Sequence, residues 1–250
     1  MPVNLSTLNV NIVNRNLVRT GRFSYFCGLI QPEMTEYDSL RHQGMRKRLV
    51  DGLKIKGIKD EKVLAAIGKV PRHLFMESSF LNFAYKDQAF PIGSGQTISQ
   101  PYTVAVQSSL LQVEKNDKIL EVGTGSGYQA AVLLEMGAKV FTIERQKELF
   151  LKVQSFLPEI GYHPACFFGD GYEGLPAFAP FDKILVTAGA TSVPPVLREQ
   201  LRVGGRMVIP VGKQNRQEML VVIRISETEY KTEKHGGFVF VPLLKGTVNF

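Results

Sequence analysis

The chain has 250 residues, of which 44% are hydrophobic and 21% charged, and it is long enough to bury a sizeable core. It contains no apolar run near the ~20 residues that span a bilayer, so we predict no membrane association. Lys and Arg outnumber Asp and Glu by 30 to 23, which gives a net charge of +7. Because these basic residues are scattered along the chain, we predict no nucleic-acid partner.

The two cysteines, Cys27 and Cys166, lie far apart and form no Cys-x-x-Cys pair. A disulfide scaffold and a cysteine zinc site are therefore disfavoured, and the histidines lack metal-ligand spacing, so we expect no metal. This cysteine usage is typical of a reducing compartment and predicts a cytoplasmic protein. The sequence leaves the oligomeric state open.

Residues 1–33 differ in composition from the rest of the chain. They are rich in Arg and Asn and contain no acidic residue before Glu33. They lack the apolar core and cleavage site of a secretory signal, and they show no apolar periodicity. We therefore predict a poorly ordered N-terminal extension over residues 1–33 and a single folded domain over residues 34–250.

Helices are predicted in the first part of this domain. Apolar residues recur at every fourth position over residues 45–53, and Gly57 offers a stop. Asp60 is a predicted N-cap for a second helix, which ends before Pro71.

A segment rich in Gly and Pro follows over residues 91–101. Its last residue, Pro101, suits the first turn of a third helix, and Ser99 or Gln100 would precede that helix as its cap.

Strands and helices then alternate. Strands are predicted at 118–122, 139–143, 165–168, 183–187 and 206–211, helices at 128–136, 146–160 and 195–201, and β-rich stretches at 219–225 and 238–243. Alternation with apolar strands indicates an α/β fold, a doubly wound and mostly parallel sheet that is covered on both faces. The helices before it and the β-rich stretches after it add N-terminal helices and a modified C-terminal β region.

The most informative motif joins the first of these strands to its helix and reads Glu-Val-Gly-Thr-Gly-Ser-Gly over residues 121–127. Glycines at this place let the backbone turn sharply and let a ligand approach closely. The next strand ends in Glu144, whose carboxylate can accept both hydroxyls of a ribose, and a third strand is followed by Asp170. Three consecutive strand ends would then face one crevice, where open α/β sheets bind ligands.

Two classes of cofactor share this geometry. A dinucleotide site requires G-x-G-x-x-G, but the third glycine position falls here on the bulky Tyr128. S-Adenosylmethionine has no pyrophosphate, and its zwitterionic amino acid end tolerates an acid at Glu121. We therefore favour S-adenosylmethionine, and we keep an NAD-dependent oxidoreductase and a non-catalytic binding module as alternatives.

The chain resembles the protein-L-isoaspartate O-methyltransferase family over roughly residues 36–245. The specific part is Gly-Gln-Thr-Ile-Ser-Gln-Pro at residues 95–101, because the glycine loop alone is typical of methyltransferases in general. Other similar stretches are Val70–Phe75, Ala84–Asp87, Leu120–Leu133, Thr142–Arg145, Gly161–Tyr162, Gly169–Gly174, Ala179–Asp182 and Gly204–Gly212. The resemblance implies that residues 34–250 form a single catalytic domain of the S-adenosylmethionine-dependent methyltransferase type.

It also implies an enzyme of protein repair. Such an enzyme moves a methyl group from S-adenosylmethionine to the free carboxylate of L-isoaspartyl residues in damaged proteins and peptides, which would be its partners. The resemblance places the loop 121–127 around the methionine part, Glu144 on the ribose and Asp170 near the adenine amino group, and it makes Ser99 the active-site serine. The full predicted cofactor set is Thr97, Ile98, Gln100, Glu121, Gly123, Thr124, Gly125, Gly127, Glu144, Arg145, Asp170 and Gly171.

The chemistry of such a transfer asks for no general base, and the sequence shows none. A carboxylate with an ordinary pKa of ~3.9 is already ionised at neutral pH. Two roles remain open for Ser99 at this point: it orients the carboxylate, or it caps the helix that begins at Pro101.

Overall fold

The computed structural model describes residues 38–213 and 216–249, which lie within one compact unit spanning Met34–Phe250. The predicted extension over residues 1–33 lies outside the described residues. No helix in the described ranges is long and apolar enough to cross a lipid bilayer.

The described residues form six α-helices and nine strands. The helices are α1 (Leu40–Ile55), α2 (Glu61–Lys69), α3 (Pro101–Leu111), α4 (Tyr128–Glu135), α5 (Lys147–Glu159) and α6 (Pro195–Glu199). The strands are β1 (Phe90–Gly93), β2 (Gln96–Ile98), β3 (Lys118–Val122), β4 (Lys139–Glu144), β5 (Ala165–Phe168), β6 (Phe181–Val186), β7 (Leu201–Lys213), β8 (Arg216–Arg224) and β9 (Tyr230–Phe238).

Seven of the described strands form one sheet in the order β5-β4-β3-β6-β7-β8-β9. Strands β3 to β7 pair in parallel, and β8 and β9 add an antiparallel extension. The chain runs outward from β3 to β5 and then returns to the other side of β3 with β6. This reversal makes β3 and β6 the switch point of the sheet, where the carboxyl ends of the strands open a crevice.

Apolar side chains cover both faces of the sheet, which explains the near-continuous apolar runs of the central strands. Ile119 and Leu185 belong to the core on one face, and Leu120 and Ile184 to the core on the other. The prediction of a doubly wound, mostly parallel sheet is confirmed.

Helix α2 begins after Asp60, as the sequence predicts, and α1 begins after Ser39. Ser39 caps α1 by accepting from the His42 backbone N–H, and Asp60 caps α2 by accepting from two backbone N–H groups at 3.0 and 3.2 Å. Arg46 is buried on α1, where its guanidinium forms an ion pair with Asp38 and donates to the carbonyl oxygen of Gly68.

The second half of the sheet differs from the prediction in places. Strand β7 begins at Leu201, at the end of the predicted helix 195–201 and before the predicted strand 206–211. The last strand is β9, not residues 238–243, because β9 is a polar edge strand whose residues carry no apolar alternation. Residues 239–249 instead cross the carboxyl edge of the sheet, joined to it by isolated bridges. The hairpin β1–β2 was not predicted, because its segment has the Gly- and Pro-rich composition of a loop. Its turn at Gly93–Gly95 has positive φ at all three residues.

Candidate active site

A cleft with about 780 Å³ of empty space opens at the carboxyl ends of β3, β4 and β6. Among the described residues, nine of the thirteen predicted site residues line this cleft. They are Thr97, Ile98, Ser99, Gly123, Thr124, Gly125, Glu144, Arg145 and Gly171. The other four do not line it: Gln100 lines a neighbouring groove, Glu121 is fully buried, and Gly127 and Asp170 lie in adjoining loops.

The glycine loop is held from both sides. Thr187, just after β6, donates its hydroxyl to the carbonyl oxygen of Gly123 at 2.6 Å. Gly123 has φ +96°, and a Cβ on it would lie 2.5 Å from the same hydroxyl oxygen. Gly125 donates its backbone N–H to Glu144 at 2.9 Å. The loop therefore presents bare backbone to the cleft in a fixed conformation.

Glu144 ends β4 on the wall of the cleft and is 4% exposed. Its Oε2 accepts from the N–H of Gly125 and its Oε1 from the N–H of Gln146, both at 2.9 Å. A carboxylate offers about four lone-pair sites, so each oxygen keeps one for a ligand hydroxyl. The neighbouring Arg145 donates to the carbonyl oxygen of Gly246 at 3.0 Å and is thereby turned toward the C-terminal segment.

Glu121 lies beneath the glycine loop and is fully buried. Its Oε2 accepts from the Thr142 hydroxyl at 2.5 Å, and that hydroxyl is 2.6 Å from the hydroxyl of Thr124 on the cleft wall. Its Oε1 has no hydrogen-bond partner within the described ranges. Burial raises the pKa of Glu121 to about 8. The charge of Glu144 also raises this pKa, and the hydrogen bond from Thr142 lowers it. Burial therefore favours the neutral form of Glu121, and its side chain supports the loop from behind.

Three further predicted residues shape the backbone around the cleft. A Cβ on Gly127 would lie 3.1 Å from side-chain atoms of α5, so this glycine permits the close packing of the loop on that helix. Asp170 accepts from the N–H groups of Tyr172 and Gly246, which ties the end of β5 to the C-terminal segment. Gln100 donates to the carbonyl oxygen of Asp87 at 3.1 Å.

Ser99 does not cap α3. The N-cap residue is Gln100, which makes no capping bond with its side chain, and Asp87 takes that role by accepting from the N–H of Tyr102 at 2.8 Å. The Ser99 hydroxyl has no protein hydrogen-bond partner in the part of the chain that the structure describes. Since Ser99 lines the cleft, its hydroxyl is available to a ligand.

Arg72 is a site residue that the sequence analysis did not single out. Its side chain is fully buried and donates to the carbonyl oxygens of Ser99 at 2.8 Å and Ala84 at 3.1 Å. The guanidinium lies over the ring of Tyr128, 4.7 Å from its centroid, at the start of α4. Arg72 thus fixes the serine loop relative to the glycine-loop helix. A lone arginine within the apolar stretch Val70–Phe75 is the sequence signal for it.

The C-terminal segment, residues 239–249, is the second part that the sequence analysis missed. Its residues 241–244 line the cleft. The segment is bonded to the ends of two strands: Gly189 exchanges hydrogen bonds with Val241 and Leu243 at 2.8 Å, and Val248 donates to the Arg145 carbonyl at 2.8 Å. These long-range contacts leave no periodic signal in the sequence.

A second, more open groove adjoins the cleft. Tyr102, Phe238 and Phe240 are among the residues that line it. The residues that line both cavities are Thr97, Ser99, Thr187, Val241 and Pro242. Ser99 therefore lies where the enclosed cleft meets the open groove.

The matching family model and the most similar relatives carry the same family name. The family model described as Protein-L-isoaspartate(D-aspartate) O-methyltransferase matches residues 44–248. The Protein-L-isoaspartate O-methyltransferase of Christiangramia forsetii is 60% identical over 209 residues, which are 83% of this chain and 98% of that protein. The protein of the same name from Flavobacterium johnsoniae is 58% identical with the same coverage.

Two solved structures resemble the fold. A protein-L-isoaspartate O-methyltransferase structure superposes with a TM-score of 0.71 at 28% identity, covering 79% of this chain and 65% of that chain. A Plasmodium falciparum structure of the same kind, in complex with S-adenosyl-L-homocysteine, gives a TM-score of 0.70 at 25% identity and covers 80% of this chain and 99% of that chain. The chain belongs to the protein-L-isoaspartate(D-aspartate) O-methyltransferase family, as the motif at residues 95–101 predicted.

Proposed function

We propose that this chain is a repair methyltransferase that moves a methyl group from S-adenosylmethionine to the free carboxylate of L-isoaspartyl residues in damaged proteins and peptides. The observation that carries this proposal is the position of Ser99 on the walls of both cavities. A cofactor in the enclosed cleft and a peptide in the open groove would meet beside its hydroxyl.

The cleft suits S-adenosylmethionine. Its wall combines exposed backbone, a buried carboxylate and apolar side chains, the mixed lining that is typical of small-molecule sites. Gly123 and Gly125 bring bare backbone to the wall, and Glu144 keeps free lone pairs for the ribose hydroxyls. The apolar side chains of Val122 and Ile143 suit an adenine ring.

The same wall disfavours a dinucleotide. Tyr128 stands where a dinucleotide site has its third glycine, and its buried ring lies under the Arg72 guanidinium. Removing that bulk would disturb the support of the serine loop. An NAD-dependent oxidoreductase therefore remains only as an outcome of the test below.

The residues of the chain act by position. When bound, S-adenosylmethionine supplies a methyl group that its sulfonium already activates. Glu144 orients the cofactor through the ribose, and the Ser99 hydroxyl orients the substrate carboxylate. Arg72 fixes the Ser99 backbone, and residues 241–244 line the cleft. Holding two reactants in line in this way can lower a barrier by ~7–11 kcal/mol in favourable cases.

The test is transfer of labelled methyl from S-adenosylmethionine to an isoaspartyl peptide, with the aspartyl peptide of the same sequence as the control. We expect transfer to the isoaspartyl peptide alone. Comparable labelling of both peptides would contradict the substrate assignment. Binding of the cofactor without transfer would indicate the non-catalytic module, and NAD binding would indicate the oxidoreductase.

We also propose a cytoplasmic location. Cys166 carries a free thiol and is half-buried on β5, which is compatible with a reducing compartment. Fractionation of cells that express the full chain tests this, and recovery of the protein outside the cytoplasmic fraction would contradict it.

A further inference from the structure

The open groove carries almost no charge. Among the described residues that line it, Arg216 is the only one with a charged side chain; the others include Ser99, Tyr102, Phe238, Val239 and Phe240. A peptide in this groove would meet polar hydroxyls, aromatic rings and one positive charge.

The Arg216 side chain has room to lie along the groove wall because Gly237 has no side chain. A Cβ on Gly237 would come 3.3 Å from the Arg216 Nε and 3.7 Å from its Nη2. Arg216 is exposed and makes no ion pair with any residue in the described ranges. Its guanidinium is therefore available to a ligand.

A second positive charge supports the first. Lys213, the last residue of β7, pairs with Arg216, the first residue of β8. Side chains of paired residues in an antiparallel ladder lie on the same face of the sheet. Lys213 is exposed and is likewise in no ion pair within the part of the chain that the structure describes. Lys213 and Arg216 thus lie next to each other on neighbouring strands, and of the two Arg216 lines the groove.

We propose that Arg216 is a specificity-determining residue, which makes the groove favour isoaspartyl segments with a nearby acidic residue over those with a nearby basic residue. This inference rests on the proposed function. Because Arg216 is exposed, water competes with any carboxylate, and one such pair supports about a two- to fivefold preference.

The test is the kcat/KM for matched isoaspartyl peptides in which one flanking position at a time carries Glu, Gln or Lys. For the native chain we expect the Glu peptide to exceed the Lys peptide by about two- to fivefold at one or more positions. The preference should shrink in 0.5 M salt, because exposed charges are screened. Arg216→Glu should reverse it, Arg216→Gln should remove it, and Arg216→Lys should retain it.

The matched control is Lys234→Glu, which makes the same change in net charge on an exposed residue of β9 outside the groove. It should keep the native preference. An equal shift in this control, or an unchanged preference in Arg216→Glu and Arg216→Gln, would overturn the inference. Equal rates for all three peptides with the native chain would also overturn it while leaving the proposed function intact. Absence of transfer to every peptide would contradict the proposed function instead.

Discussion

Glu121 and Glu144 lie near the carboxyl ends of neighbouring strands, and their surroundings give them different tasks. Glu144 faces the cleft and accepts two backbone N–H groups, whereas Glu121 faces the packed side of the sheet and accepts only the Thr142 hydroxyl. One residue can therefore contact a ligand, and the other supports the loop that contacts it. Their sequence positions predict that both lie at one crevice, but not that one contacts a ligand and the other supports the loop.

A substitution at Glu144 tests its proposed contact with the ribose of the cofactor. Glu144→Gln keeps the shape of the side chain but removes its charge and one of the two oxygens that accept backbone N–H groups. It should weaken cofactor binding by about 1.5–3 kcal/mol, or roughly ten- to a hundredfold in Kd. Calorimetric titration with S-adenosylmethionine measures this. Glu159→Gln, on an exposed position of α5, is the matched control. An unchanged Kd in Glu144→Gln would remove the ribose assignment.

The raised pKa of Glu121 predicts that the free energy of unfolding depends on pH. Its folded-state pKa of about 8 exceeds its ordinary value of 4.5, so the folded chain holds a proton that the unfolded chain releases between these pH values. The contribution of Glu121 to the free energy of unfolding is therefore complete below about pH 4.5 and is lost as the pH rises through 8. The slope from one such proton reaches about 1.4 kcal/mol per pH unit.

Glu121→Gln should remove that slope. Urea unfolding of the native chain and the variant at intervals from pH 5 to 8.5 isolates the contribution, because all other titrating groups are common to both. The difference in free energy of unfolding should change in favour of the variant as the pH rises. A difference that stays constant over this range would contradict the buried neutral acid.

At the scale of elements, the sequence predicts those parts that are buried on two faces or capped locally. Strands β3 and β5 agree with their predicted bounds. For β3 the reason is that its apolar run packs against the cores on both sides of the sheet. The carboxyl ends of neighbouring parallel strands open one crevice, and this rule correctly brings most of the predicted site residues to one cleft. The C-terminal segment and Arg72 escaped prediction because their roles depend on hydrogen bonds between residues far apart in sequence. No local pattern encodes such contacts.

The glycine loop gives a prediction at this scale. Gly123→Ala would place a Cβ 2.5 Å from the Thr187 hydroxyl oxygen at φ +96°, whereas Gly161→Ala, at φ +83°, would meet nothing within 4 Å. The control should lose about 1–2 kcal/mol of stability from backbone strain alone. Gly123→Ala should lose about 1–3 kcal/mol more from overpacking, and it should also weaken cofactor binding. Equal losses by urea unfolding would show that the contact with Thr187 is not restrictive.

At the scale of the whole molecule, the matched family covers residues 44–248. The Christiangramia forsetii relative is aligned over 98% of its own length within 209 residues of this chain. The proposed extension over residues 1–33 thus lies outside the region that carries the family likeness. The domain boundary remains a prediction from composition.

A chain that starts at Met34 tests that boundary. It retains Ser39 and Asp38, which hold the start of α1. We expect the same Tm and the same methyl-transfer rate as the full chain. Loss of solubility, stability or activity would show that residues 1–33 contribute to the domain.

The central claim is that Ser99 works by orienting the substrate carboxylate, without a titrating base. The direct measurement is the single-turnover rate of methyl transfer by the native chain and Ser99→Ala, together with Tm and the cofactor Kd. The rate should fall about ten- to a hundredfold, because one hydrogen bond to a charged group contributes roughly 1.5–3 kcal/mol. The Tm should stay the same, since Asp87 caps α3. The rate should fall by a larger factor than the cofactor Kd rises, because the lost hydrogen bond orients the substrate and not the cofactor. Both rates should be nearly flat from about pH 6 to 7.5, where the carboxylate is ionised. An unchanged rate in Ser99→Ala, or a rate that climbs tenfold per pH unit, would contradict the account.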